Sequence, residues 1–152
     1  MPNSSRKISR KVSSARRLMG SYAESNIVEV FLSILNTIKL FHWKTHQYSA
    51  HKATDELYGD LGSKIDTFVE QLMGITSKRI DVNPYHTMAI NCSSLSDLIR
   101  HIRSFKTYLE RMPDNVYGST YYSRPSTQYD LLAIRDEMVG IINKFLYLGS
   151  LN

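Results

Sequence analysis

Residues 41–74 read FHWKTHQYSAHKATDELYGDLGSKIDTFVEQLMG. Leu57, Leu61, Ile65, Phe68 and Leu72 recur at steps of three and four. That spacing predicts an amphipathic helix from about Ala50 to Met73, with Gly74 as its stop. With about 100° of rotation per residue and His51 set to zero, the apolar stripe covers roughly 240–320°. On the same wheel Asp55 falls at about 40°, Asp66 at about 60° and Glu70 at about 100°. One helix therefore carries a core face and, apart from it, a face of metal-ligand type. Gly59, Gly62, Val69 and Met73 share this second face, with Tyr58 at its edge. A solvated face has no use for two glycines, each costing about 1 kcal/mol in a helix interior. Small residues let another backbone approach, so the face is predicted to be a subunit interface.

Three further segments have the same period. Ile27, Phe31, Ile34, Ile38 and Phe41 predict a helix from about Ser25 to His46, with Ser25 or Asn26 as N-cap. Leu95, Leu98, Ile102, Phe105, Leu109 and Met112 predict a third, starting at Ser94 or Ser96 and ended by Pro113. Leu131, Ile134, Met138, Ile141, Phe145 and Leu148 predict a fourth, with Gly149 after it. Residues 113–128, PDNVYGSTYYSRPSTQ, read as a long connection, as does the stretch around Asn83-Pro84. Nothing alternates like a strand. The predicted fold is an all-α four-helix bundle over residues 23–152, with at least one crossover connection.

The 152 residues suit one domain. The net charge of +5 is unevenly spread. Residues 1–22 hold Arg6, Lys7, Arg10, Lys11, Arg16 and Arg17 and no acid, leaving thirteen basic against fourteen acidic groups elsewhere. The tail is Ser-rich, is predicted to be disordered, and suits phosphate neutralisation on DNA or RNA. A mitochondrial-type targeting segment has the same composition. No apolar run reaches membrane-spanning length and no secretory signal is visible, so no membrane partner is expected. The single Cys92 cannot form an internal disulfide, which favours a reducing compartment. Phosphate-loop, zinc-finger and nucleophile-elbow patterns are absent.

His51 and Asp66 stand fifteen residues apart, about 22 Å along a helix axis. They cannot share an ion within one chain. Two copies packed antiparallel about a two-fold axis place His51 and Asp55 of one against Asp66 and Glu70 of the other, which gives two sites per dimer. His42 lies on the inward face of the first helix, and a short turn around Tyr48 brings it toward the same place. Imidazole with carboxylates suits Fe(II), Mn(II) or Zn(II). No Glu has a His three positions later, so the intrachain di-iron pattern is excluded. His46 is a substitute ligand candidate. Trp43 is read as interface packing, Glu56 and Asp60 as solvated, His86 and His101 as structural, and Cys92 as inert.

His-Trp at the end of one helix, a histidine nine residues on, then H-x-x-x-D-x-L-Y and D-x-x-x-E, resemble the Dps proteins. These are ferritin-like DNA-binding proteins from starved cells. The resemblance is specific over residues 41–74, and the turn between His42 and His51 is shorter here than in the family. It implies a ferritin-like bundle, a homodimer and a ferroxidase centre shared across it. His42, His51 and Asp55 would come from one subunit, Asp66 and Glu70 from its mate. It also implies Fe(II) oxidation, mineral storage in a larger shell, and DNA binding through the basic tail of a cytoplasmic or nucleoid-associated protein. The other reading is a non-catalytic ferritin-like structural protein that packages nucleic acid in a nucleoid or a virus particle.

Overall fold

The computed structural model describes residues 24–112 and 125–151. The basic tail, with its six cationic residues, and most of the 113–128 connection lie outside these described residues. Among them there are four long helices and no strand: α1 (Glu24–Lys44), α2 (Tyr48–Thr76), α3 (Leu95–Glu110) and α4 (Pro125–Gly149), with a short 3-10 turn at Pro84–His86. Among the described residues no helix is long and apolar enough to cross a membrane.

The apolar seams are buried as their period requires. Ile27, Phe31, Ile34, Ile38 and Phe41 of α1 face Leu57, Leu61, Ile65, Phe68 and Leu72 of α2. Leu98, Ile102, Phe105 and Leu109 of α3 and Leu131, Ile134, Met138 and Phe145 of α4 complete one core. Phe31 sits at its centre, edge-on to Phe68 at 5.3 Å and to Phe105 at 5.9 Å between ring centroids.

Helix order follows from who touches whom. α2 packs on α1 and α4, and α3 packs on α4 and α1. The turn at residues 45–47 makes α1 and α2 antiparallel. Ion pairs Glu56–Lys144 and Lys64–Glu137 run α4 antiparallel to α2. Gly149 lies against Ile99, and Arg135 Nη1 donates to the Met112 carbonyl at 3.2 Å, so α4 is also antiparallel to α3. The directions are therefore up, down, down, up.

That order needs a crossover between α2 and α3, and residues 77–94 supply it along the outside of α1. The backbone N–H of Asn83 donates to Glu29 at 2.8 Å. Ser33 Oγ donates to the Met88 carbonyl at 2.9 Å and Asn36 Nδ2 to the Thr87 carbonyl at 2.7 Å. Thr37 Oγ1 accepts from the Ile90 N–H at 2.9 Å, and Lys44 Nζ donates to the Cys92 carbonyl at 3.1 Å. A row of polar side chains on α1 thus bonds backbone groups of this strap that its own 3-10 turn does not serve.

Three expected boundaries and one core position change. Gly74 does not stop α2; the helix continues through buried Thr76 and ends at Ser77, which adopts the left-handed conformation at φ 54°. Ser25 and Asn26 lie inside α1 and do not cap it. Residues 125–128 belong to α4, whose first helical residue is Pro125, a position where the missing N–H costs nothing. Of the adjacent pair in α4, Ile142 is fully buried and Ile141 half-buried, because a helix wedged between α2 and α3 needs a broader apolar stripe than a strict heptad. For α3 the structure selects Ser94 as N-cap, its hydroxyl accepting from the Asp97 N–H at 3.1 Å.

Candidate metal centre

The tight α1–α2 turn sets the geometry. It places His42, in the last turn of α1, beside His51, in the first turn of α2. Their rings stack with centroids 3.9 Å apart and planes 23° from parallel. His42 Nδ1 donates to the His51 carbonyl at 3.0 Å, and His51 Nδ1 donates to the His42 carbonyl at 3.1 Å. A carbonyl can only accept, so each Nδ1 carries the proton. In the neutral rings both Nε2 atoms are then left with a free lone pair, the form in which histidine binds a metal. Thr54 Oγ1 stands 3.3 Å from His42 Nδ1 and itself donates to the Ala50 carbonyl at 2.7 Å, which locks the ring further.

Asp55 follows one turn after His51. Its Oδ1 lies 3.8 Å from His42 Nε2 and 3.9 Å from Lys39 Nζ. The His42 side chain is only 8% exposed, whereas that of Asp55 is 59% exposed. The pair thus joins a buried, oriented imidazole to a carboxylate open to the outside.

Asp66 and Glu70 are also exposed, and they share the outward face of α2 with Asp55. Because α2 runs unbroken from Tyr48 to Thr76, the fifteen residues from His51 to Asp66 span about 22 Å. Among the described residues no three His, Cys, Asp or Glu side chains converge closely enough to hold an ion within one chain. The chain pairs His42 with His51 and His42 with Asp55, and leaves Asp66 and Glu70 apart.

Between the two groups α2 carries two glycines with open space around them. A Cβ built on Gly59 meets nothing within 4 Å, and one on Gly62 meets only Leu35 Cδ2, at 3.9 Å. Among the described residues nothing requires glycine at either position. Leu32 on the adjoining face of α1 is an exposed large apolar residue, and Trp43 is 70% exposed.

The other candidates separate. His46 is exposed in the turn and lines a different cleft, with Lys44, Ser94 and Ile99. Glu56 pairs with Lys144. Cys92 is buried, and burial first, then the charge of Asp97, pushes its thiol up, so the reactive thiolate is scarce at neutral pH. Burial, helped by Arg100, lowers the pKa of His101.

One polar pair was not legible in the sequence. His86 Nδ1 lies 2.8 Å from Glu29 Oε2, and Glu29 is only 4% exposed. Glu29 sits on α1 under the crossover, 57 residues from its partner. No local spacing signals such a contact. The pair pins the strap to α1.

Residues 42–148 match the family described as a family of unknown function (DUF5856). No curated protein and no solved structure matches the chain.

Proposed function

We propose that this chain, which belongs to the DUF5856 family, is a Dps-like ferritin-family protein that binds and oxidises Fe(II) at sites shared across a homodimer. The observation that carries the reading is His42 paired with His51 on one side and with Asp55 on the other, with both Nδ1 protons committed to carbonyls and both Nε2 lone pairs available. The partner's Asp66 and Glu70 complete each set. The single long crossover supports it too, since ferritin-like bundles are those with one. Fe(II) is the substrate, and Mn(II) or Zn(II) suits the same donors. The carboxylates stabilise Fe(III) over Fe(II) by charge, so an electron passes more easily to an oxidant of the peroxide or dioxygen class. The basic tail, through Arg6, Lys7, Arg10, Lys11, Arg16 and Arg17, binds nucleic acid in this reading, and dimers join into a larger shell in the cytoplasm or nucleoid.

Anaerobic Fe(II) titration, followed by admission of oxidant, tests the reading. Saturable binding and a rate of ferric absorbance above that of buffer are expected. Wild-type protein that neither binds Fe(II) nor speeds its oxidation would hand the case to the second reading, a bundle that packages nucleic acid without catalysis. The observation favouring that second reading is Lys39, a cation that already sits against Asp55.

The dimer has its own test. In Gly59→Leu the new Cβ meets no atom of the described residues within 4 Å, and removing a helix-interior glycine should stabilise the monomer by up to about 1 kcal/mol. The same side chain should block the close approach of two α2 helices. Light scattering should therefore show weaker dimerisation alongside an unchanged or raised melting temperature. A wild-type monomer at micromolar concentration would remove the shared site.

A further inference from the structure

Lys39 occupies an unusual position. It lies on α1 one turn before His42, and its Nζ is 3.9 Å from Asp55 Oδ1. The same ammonium stands 4.7 Å from the centroid of the Tyr58 ring and 5.7 Å from that of Trp43. Two aromatic walls and a carboxylate therefore hold one cation, and the lysine side chain is only 28% exposed. An ordinary surface ion pair has no such walls, and aromatic faces favour a cation independently of the carboxylate. The carboxylate oxygen that Lys39 faces is the one that faces His42 Nε2.

We propose that Lys39 is a tethered cation that competes with an incoming divalent metal for Asp55 and so sets the affinity of the half-site. This rests on the reading of His42, His51 and Asp55 as metal ligands. Before metal arrives, the ammonium offsets the charge of Asp55 beside a buried imidazole. When metal binds, two positive charges cannot share that carboxylate at short range without mutual repulsion. Lys39 must swing out along its flexible stem, over the rings of Tyr58 and Trp43, which remain a resting place for it. The four-carbon stem makes this movement cheap, and the half-site is then selective for ions that bind strongly enough to displace an ammonium.

Co(II) alone, which needs no oxidant and reports its ligands by visible absorption, is the probe. Lys39→Met removes the charge and keeps the length of the stem. It should bind Co(II) roughly tenfold more tightly than wild type. Lys39→Arg keeps the charge and should bind close to wild type, a rescue that a packing role for the stem would not give. The gain in Lys39→Met should vanish when His51→Ala is added. Lys39→Gln repeats the charge removal with a polar side chain, so a folding defect peculiar to methionine would be exposed by circular dichroism and bypassed. Saturable binding with equal affinity in wild type, Lys39→Met and Lys39→Gln overturns the role of Lys39 while leaving the metal site standing. No saturable binding in any of them overturns the metal reading, and the competition with it. Binding by the charge-removed variants alone is the extreme form of the expected result.

Discussion

Mixing His51→Ala subunits with Asp66→Ala subunits is expected to restore Fe(II) oxidation that neither variant shows alone. Each homodimer of His51→Ala lacks the imidazole at both sites. Each homodimer of Asp66→Ala lacks a carboxylate at both. A mixed dimer concentrates both lesions in one site and leaves the other intact. Each mixed dimer should therefore recover up to about half of the wild-type rate. Equal mixing makes about half of the dimers mixed, so the bulk rate should reach roughly a quarter of wild type. The readout is ferric absorbance after subunit exchange. An intrachain site gives no rescue at any ratio. The distance argument makes this outcome sharp: α2 is continuous across both residues, so no bend within one chain can bring Asp66 to His51.

The second large effect is on the fold. Phe31→Ala should cost about 3–5 kcal/mol, a large share of a typical stability of about 5–15 kcal/mol. Phe31 is 0% exposed and its ring meets Phe68 of α2 and Phe105 of α3 edge-on. Truncation removes two aromatic contacts and leaves a hole that three helices must close together. Urea denaturation followed by helix signal, at several protein concentrations, separates this loss from any change in dimerisation. A cost below about 1 kcal/mol would show that the core can collapse around the gap.

Much of the core was legible because helix burial is a local code. A residue's side depends on about 100° of rotation per step, so Ile27 to Phe41 and Leu57 to Leu72 could be assigned without knowing their neighbours, and all of them are buried. The Ser94 cap was legible as one of two serines for the same reason: its hydroxyl serves an N–H three residues on. The pairing of His51 with Asp55, and their separation from Asp66, followed from pitch and rise alone.

Other features depended on what the chain meets elsewhere. Gly74 looked like a stop, but Ile75 and Thr76 find packing partners that carry α2 past it. Ile141 and Ile142 are adjacent and equally apolar, and the wedge between α2 and α3 chose the second. No periodic signal marks Glu29; it is buried because the strap from Asn83 to Cys92 lies over it and supplies His86. The place of Lys39 against Asp55 could not be read from either helix separately, since it requires the angle of the α1–α2 turn. Periodicity alone thus marks the inward-facing stripes of α1 and α2 and the acids and histidines that share a helical face, because these follow from the geometry of one helix. The tertiary structure decided the up-down-down-up order, the path of the crossover, the tautomers of His42 and His51, and the cation at Asp55. Each of these depends on contacts between segments whose separation along the chain carries no periodic signal.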